Sequence, residues 1–203
     1  MTSMSALLRP PPELTCAELF ATWLPAAFER ARAAGALSPD VVVAVQLEGD
    51  GGGAWTLRVA DGALTVGDGL DVAALVTLRQ TVADFRAAVW GEGSSGALLP
   101  PQLDLAAAIT GEVEIPTAAL AQARGTLHVE IPGFAGRTWK TAVTILGATA
   151  PAATVAVDVP TLESLRDGSL PPAQAFFSGR IAVTGDVPWL MQIGMSLAAG
   201  GLA

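Results

Sequence analysis

The sequence predicts an α+β fold of two tandem repeats, each an antiparallel or mixed sheet covered on one face by helices. Three observations carry the prediction. Short alternating apolar runs, separated by Gly-rich turns, recur in both halves of the 203-residue chain. In each half a short helix opened by a threonine, Thr81 or Thr161, follows those runs. Stretches of the first half also align, in the same order, with stretches of the second. The expected boundaries are a flexible or polyproline-like lead over 1–14, a diverged first repeat over 15–124 and a second repeat over 125–203.

Taken in order, Thr15-x-x-Glu18 is a capping box that opens a helix of about 18 residues. Phe20, Trp23, Leu24 and Phe28 share one face of it. Pro25 is expected to kink it, because proline lacks an N–H and crowds the preceding turn, and Gly35 to end it. In VVVAVQLE, Val41, Val43, Val45 and Leu47 alternate as on a strand. The Gly-rich tract 49–53 turns the chain into Trp55, Leu57 and Val59, and Asp61-Gly62 is a hairpin signal leading into ALTV. AALVTL (73–78) is a further strand, and Thr81 to Asp84 opens a short helix that turns Val82, Phe85 and Val89 inward. Gly91 to Gly96 is a loop, and PTAALAQA (116–123) is a helix candidate between the repeats.

The second half repeats the layout. LHVEI and TWKTAVTIL are strands joined by GFAGR, ATVAVDV alternates like AALVTL, and Thr161 opens a short helix. Alignment sets Trp55 against Trp139, Thr81 against Thr161, Phe85 against Leu165 and Gly111 against Gly179. The resulting order is an antiparallel meander with its helices on one side, which leaves the sheets free to lie edge to edge or back to back.

Composition bounds the function. Charged residues are 15% of the chain against about 25% ordinarily, and 11 Lys plus Arg against 19 Asp plus Glu give a net charge of −8. With Lys140 as the one lysine and no basic cluster, no nucleic-acid footprint exists. Apolar runs are too short for a membrane span of about 18 residues, so stable membrane insertion is not expected. The N-terminus has no signal-peptide pattern, and the expectation is a cytoplasmic protein. Cys16 is the one cysteine, which excludes a disulfide scaffold.

Catalytic chemistry is sparse. His128 and Glu130 fall on one side of a strand, but an exposed polar strand face accounts for both. Cys16, in the first turn of a helix, has no histidine partner in view. No metal cluster, phosphate loop or nucleophile elbow is present, so no catalytic residue, metal or cofactor is expected. Asp158 and Glu163 are explained as an edge residue and a helix-start carboxylate.

The last helix is the most informative segment. Asp186 suits its cap and Pro188 its first turn. From Trp189 to Leu197 the polar residues are Gln192 and Ser196, four apart on one stripe. The remaining Trp189, Leu190, Met191, Ile193, Met195 and Leu197 need covering by protein, ligand or partner. A core helix or a homodimer interface would satisfy this as well as a pocket wall. Upstream, Phe176 and Phe177 point to different faces, one suited to the core and one to a cavity, before a short strand bracketed by Gly179 and Gly185.

The stretch VDVPTLESLRDGSLPPAQAFFSGRIAVTGDVPWLMQIG resembles the C-terminal half of the sterol carrier protein 2 family. The resemblance rests on Gly168, Leu170, Pro172, Ala175, Phe176, Phe177, Gly179, Arg180, Gly185 and Asp186. Trp55 to Gly62 is similar to that family's central hairpin. Arg180 stands where the family usually has lysine, and Ala106-Ala107-Ala108 stands where a first copy would carry the aromatic pair. The resemblance implies a hydrophobic tunnel between sheet and helices that binds sterols, fatty acyl chains or related lipids. The candidate ligand-binding residues are Phe176, Phe177, Trp189, Leu190, Ile193 and Met195, joined by Trp139, Val157, Leu165 and Phe85. The expected function is non-enzymatic binding or transfer of a hydrophobic small molecule. The alternatives are a cyclase that folds a polyketide or isoprenoid substrate in the same cavity, and a scaffold that delivers lipid-tailed intermediates to partner enzymes.

Overall fold

The computed structural model describes residues 10–33, 40–91 and 117–199. Gly35, residues 92–96 of the expected loop, the Ala106–Ala108 tract and Gly111 lie outside them.

The capping box forms. Glu18 N–H donates to Thr15 Oγ1 at 3.1 Å, and Thr15 N–H donates to Glu18 Oε2 at 2.9 Å. From it α1 (Cys16–Glu18) passes through a π-helical turn (Leu19–Trp23) into α2 (Leu24–Ala33). Leu24 N–H reaches back to Leu19 O, so the widened turn ends on the residue before Pro25, where the missing donor would otherwise break the ladder. Phe20, Leu24 and Phe28 are buried, and Phe20 stacks on Trp55 with ring centroids 4.5 Å apart.

The strands are β1 (Val41–Glu48), β2 (Gly53–Ala60), β3 (Ala63–Asp68), β4 (Val76–Thr81), β5 (Gly125–Phe134), β6 (Arg137–Ile145), β7 (Ala152–Val157) and β8 (Ile181–Gly185). They form one eight-stranded sheet in the order β3-β2-β1-β4-β6-β5-β7-β8. Asp61 and Gly62 both take positive φ in the predicted hairpin between β2 and β3.

Here the expected meander needs correction. β1, β2 and β3 do follow one another antiparallel, but β4 returns to lie parallel to β1, from Val43↔Val76 to Glu48↔Thr81. β7 likewise lies parallel to β5. The physical reason is that β1 is the most apolar strand, almost wholly buried, and an edge position would leave one of its hydrogen-bonding sides unpaired. The return crossing passes over β2, where Thr56 Oγ1 donates to Gly69 O at 2.8 Å and Arg58 pairs with Asp71 at 2.6 Å.

The halves meet edge to edge, because β4 pairs antiparallel with β6 from Val76↔Ile145 to Arg79↔Ala142. After β4, Thr81 caps α3 (Val82–Trp90) by accepting from Asp84 N–H at 3.0 Å. This helix closes the seam. Its Asp84 carboxylate is buried and accepts from Arg137 of β6 at 2.8 and 3.1 Å, and the Trp139 indole donates to Asp84 O at 2.8 Å.

In the second half α4 (Thr117–Leu120) precedes the sheet, and α5 (Val159–Arg166), α6 (Pro172–Phe177) and α7 (Val187–Ala199) follow β7 and β8. The cap of α5 is Asp158, which accepts from Thr161 N–H at 2.9 Å. The helix therefore opens at Asp158 and not at the expected Thr161, which is already inside it. Gly185 sits at positive φ, and a Cβ there would press on Ala152 O at 2.5 Å, so only glycine lets β8 run so close to β7.

Candidate functional site

Strand alternation gives the sheet two faces. Odd-numbered residues of β5, β6 and β7 share one face, and the register carries this face through Val76, Leu78 and Gln80 of β4. Helices pack on it at separate places. Ile131, Phe134, Trp139 and Val157 gather with Ala87 of α3 and Val159, Leu162 and Leu165 of α5. Ile145 and Ala153 gather with Trp189, Leu190 and Ile193 of α7. α7 comes close because residue 125 is glycine. A Cβ there would run into the Trp189 indole, whose N–H donates to Arg124 O at 2.9 Å.

Between the centres of these clusters runs a strip of half-buried side chains, with Leu127 packed against the α7 cluster, Val129 against the α5 cluster and Leu78 against the first-half core. Leu78, Val143 and Leu127 neighbour one another across β4, β6 and β5, and Val129, Val155 and Val183 do so across β5, β7 and β8. All are only partly buried. Among them Thr141, the neighbour of Val129, is 6% exposed. Its Oγ1 is buried and has no hydrogen-bond partner among the described residues. A buried hydroxyl normally has one, and leaving it unpaired costs about 1–3 kcal/mol. This face thus holds one buried hydroxyl without a partner among half-buried apolar side chains.

The candidate side chains do not converge. Trp189, Leu190 and Ile193 bound the strip at the α7 end, and Trp139, Val157 and Leu165 at the α5 end. Phe85 belongs elsewhere, packed against Phe20 and the first-half core at a ring distance of 5.6 Å. Phe176 and Phe177 do not split between core and cavity. Both are exposed, Phe177 at 85%, because α6 is a single short turn anchored by buried Ala175, and they meet edge to face at 5.7 Å. Met191 and Met195 of α7 also face outward, Met195 at 66%. Asp186 does cap α7, accepting from Trp189 N–H at 3.0 Å.

Thr141 escaped notice in the sequence. Its signal was a threonine on the apolar face of TWKTAVTIL, between Trp139 and Val143. His128 is exposed on the opposite face, where Glu130 pairs with Lys140 at 2.8 Å. Burial pushes the Cys16 thiol up from its ordinary pKa, so it is protonated at neutral pH. Hydrogen bonds from Thr161 hold the Asp158 carboxyl below its usual value.

Residues 112–198 match the model of the SCP-2 sterol transfer family. The matched stretch starts ahead of β5, takes in every strand of the second half and ends within α7. No curated protein matches the chain. No helix among the described residues is long and apolar enough to cross a membrane.

Proposed function

We propose that the chain binds and transfers a hydrophobic, lipid-like small molecule (a sterol, fatty acyl chain or isoprenoid) laid along the strip between the α5 and α7 clusters. The observation that carries this is the buried, unpartnered Thr141 hydroxyl in the middle of a partly covered apolar surface. The match of the second half to a sterol transfer family supports it independently. A ligand burying roughly 300 Å² of apolar surface gains several kcal/mol at about 25 cal/mol per Å², before ordering costs are subtracted. Thr141 then meets the ligand's hydroxyl or carbonyl, while Trp189, Leu190 and Ile193 at one end and Val157 and Leu165 at the other set its length.

We further propose that the chain is an internal duplication divided near residue 124. In each half a hairpin is followed by a strand parallel to its first member, and a capped helix follows that strand. Trp55 and Trp139 occupy matching places, opposite Val45 and Ile131.

The test is titration of the full chain with a fluorescent fatty acid and a fluorescent sterol, beside Thr141→Val and Val143→Trp. Thr141→Val should melt at the same or a higher temperature, since it deletes an unsatisfied hydroxyl, yet bind a hydroxyl- or carboxyl-bearing probe several-fold more weakly. Val143→Trp should fill the strip and abolish binding. Saturable binding of neither probe, or binding indifferent to both substitutions, overturns the proposal.

A further inference from the structure

The N-terminal lead does not behave as a free linker over its described part. Pro10, Pro11, Pro12, Glu13 and Leu14 lie across the end of α3, whose Trp90 and Arg86 side chains donate to their backbone carbonyls. The Trp90 indole N–H donates to Pro10 O at 3.1 Å and to Pro11 O at 2.9 Å. The Arg86 guanidinium donates to Pro12 O at 2.8 Å and to Leu14 O at 3.0 Å. Arg86 itself sits over the Trp90 ring, 4.4 Å from its centroid.

Each part of this arrangement suits a proline-rich ligand. Pro10, Pro11 and Pro12 present three carbonyls with no N–H between them, and the segment then closes in a turn in which Leu14 N–H donates to Pro11 O at 3.3 Å. An indole and a guanidinium are donors without acceptor capacity. Donor-only side chains one helical turn apart therefore read the carbonyls of a stretch whose prolines offer no N–H, and stacking of one on the other fixes their spacing. The segment contributes no side chain to any buried core cluster, and Pro12 and Glu13 are exposed. What holds it is a set of hydrogen bonds of the kind that net little in water, which is what an exchangeable ligand requires.

We propose that Trp90 and Arg86 form a polyproline-reading site, occupied in cis by Pro10–Leu14, from which a proline-rich segment of another protein displaces the chain's own. Occupation in cis acts as a gate, because a tethered segment competes at an effective concentration on the order of millimolar. The rest of the core does not depend on it, so the site opens without unfolding the sheet.

The experiment uses the full chain with labelled tryptophan indoles and a soluble peptide of sequence LRPPPEL, that of residues 8–14. In a variant carrying Pro10→Gly, Pro11→Gly and Pro12→Gly together, which keeps the carbonyls and loses the rigidity, the peptide should shift the Trp90 indole signal. It should do so at about tenfold lower concentration than in the natural chain. Trp90→Phe in the same background should remove peptide binding, and a peptide with glycine for proline should not bind. A folded glycine variant that ignores the peptide, or binds the proline-free peptide equally well, overturns the proposal. Should the variant not fold, a spin-labelled LRPPPEL peptide decides on the natural chain. Broadening of the Trp90 indole signal supports displacement, and an unbroadened signal at about 5 mM peptide overturns it.

Discussion

Asp84 joins α3 of the first half to β6 of the second, and its surroundings explain why it tolerates burial. Its carboxylate accepts from Thr81 Oγ1 and from two nitrogens of Arg137, while its carbonyl takes the Trp139 indole N–H. Removing one partner of such a pair strands the other, and the cost is larger than the pair's own net value. Because the Arg137 side chain is 43% exposed, solvent recovers part of that cost. Asp84→Ala should therefore destabilise the protein by about 2 kcal/mol in urea denaturation. A loss below about 0.5 kcal/mol would mean that the seam does not depend on this contact. The lone histidine is less consequential: His128 stands on a strand face in water, as its alternation implied.

At the scale of elements, caps are where the chain states its intentions most openly. Thr15 with Glu18 and Thr81 with Asp84 were legible because the partners lie three residues apart, and short-range hydrogen bonds need no tertiary context. Asp158 was legible only as a polar interruption, because Pro160 and Thr161 offered a competing helix start. Its pH behaviour follows from its role. Hydrogen bonds from Thr161 favour the charged carboxylate, so the folded-state pKa lies below the unfolded one. The cap's contribution is then fully present above the ordinary carboxylate range near 4 and disappears as pH falls through the folded value. Asp158→Ala should lower the melting temperature at pH 7 by an amount typical of a lost cap, about 1 kcal/mol, and the gap should close on acidification. A gap independent of pH down to about 3 would exclude the charged carboxylate as the capping species.

For the molecule as a whole, the joining of β4 to β6 is the decisive event. It turns what the sequence offered as separable sheets into one ladder, and α3 carries Phe85 into one core and Ala87 into another. Such a layout should unfold cooperatively. Amide hydrogen exchange followed on β1 and on β5 of the natural chain should give coincident opening transitions as urea is raised. Separate midpoints would show that the halves are independent foldons. The same continuity sets Leu78 beside Val143, so that the half-buried strip crosses the seam.

By itself the sequence determined the α+β class, the hairpin at Asp61-Gly62, the caps at Thr15, Thr81 and Asp186 and the likeness of its second half to a sterol transfer family. These are properties of residues near one another along the chain. Tertiary structure decided the rest: that β4 returns beside β1, that the halves share a sheet, that Phe176 and Phe177 face outward, that Thr141 is left without a partner and that Trp90 holds Pro10 and Pro11. Each of these outcomes depends on what residues distant in the chain do or do not supply, and alternation along a strand tells which face a side chain takes but not what it will find there.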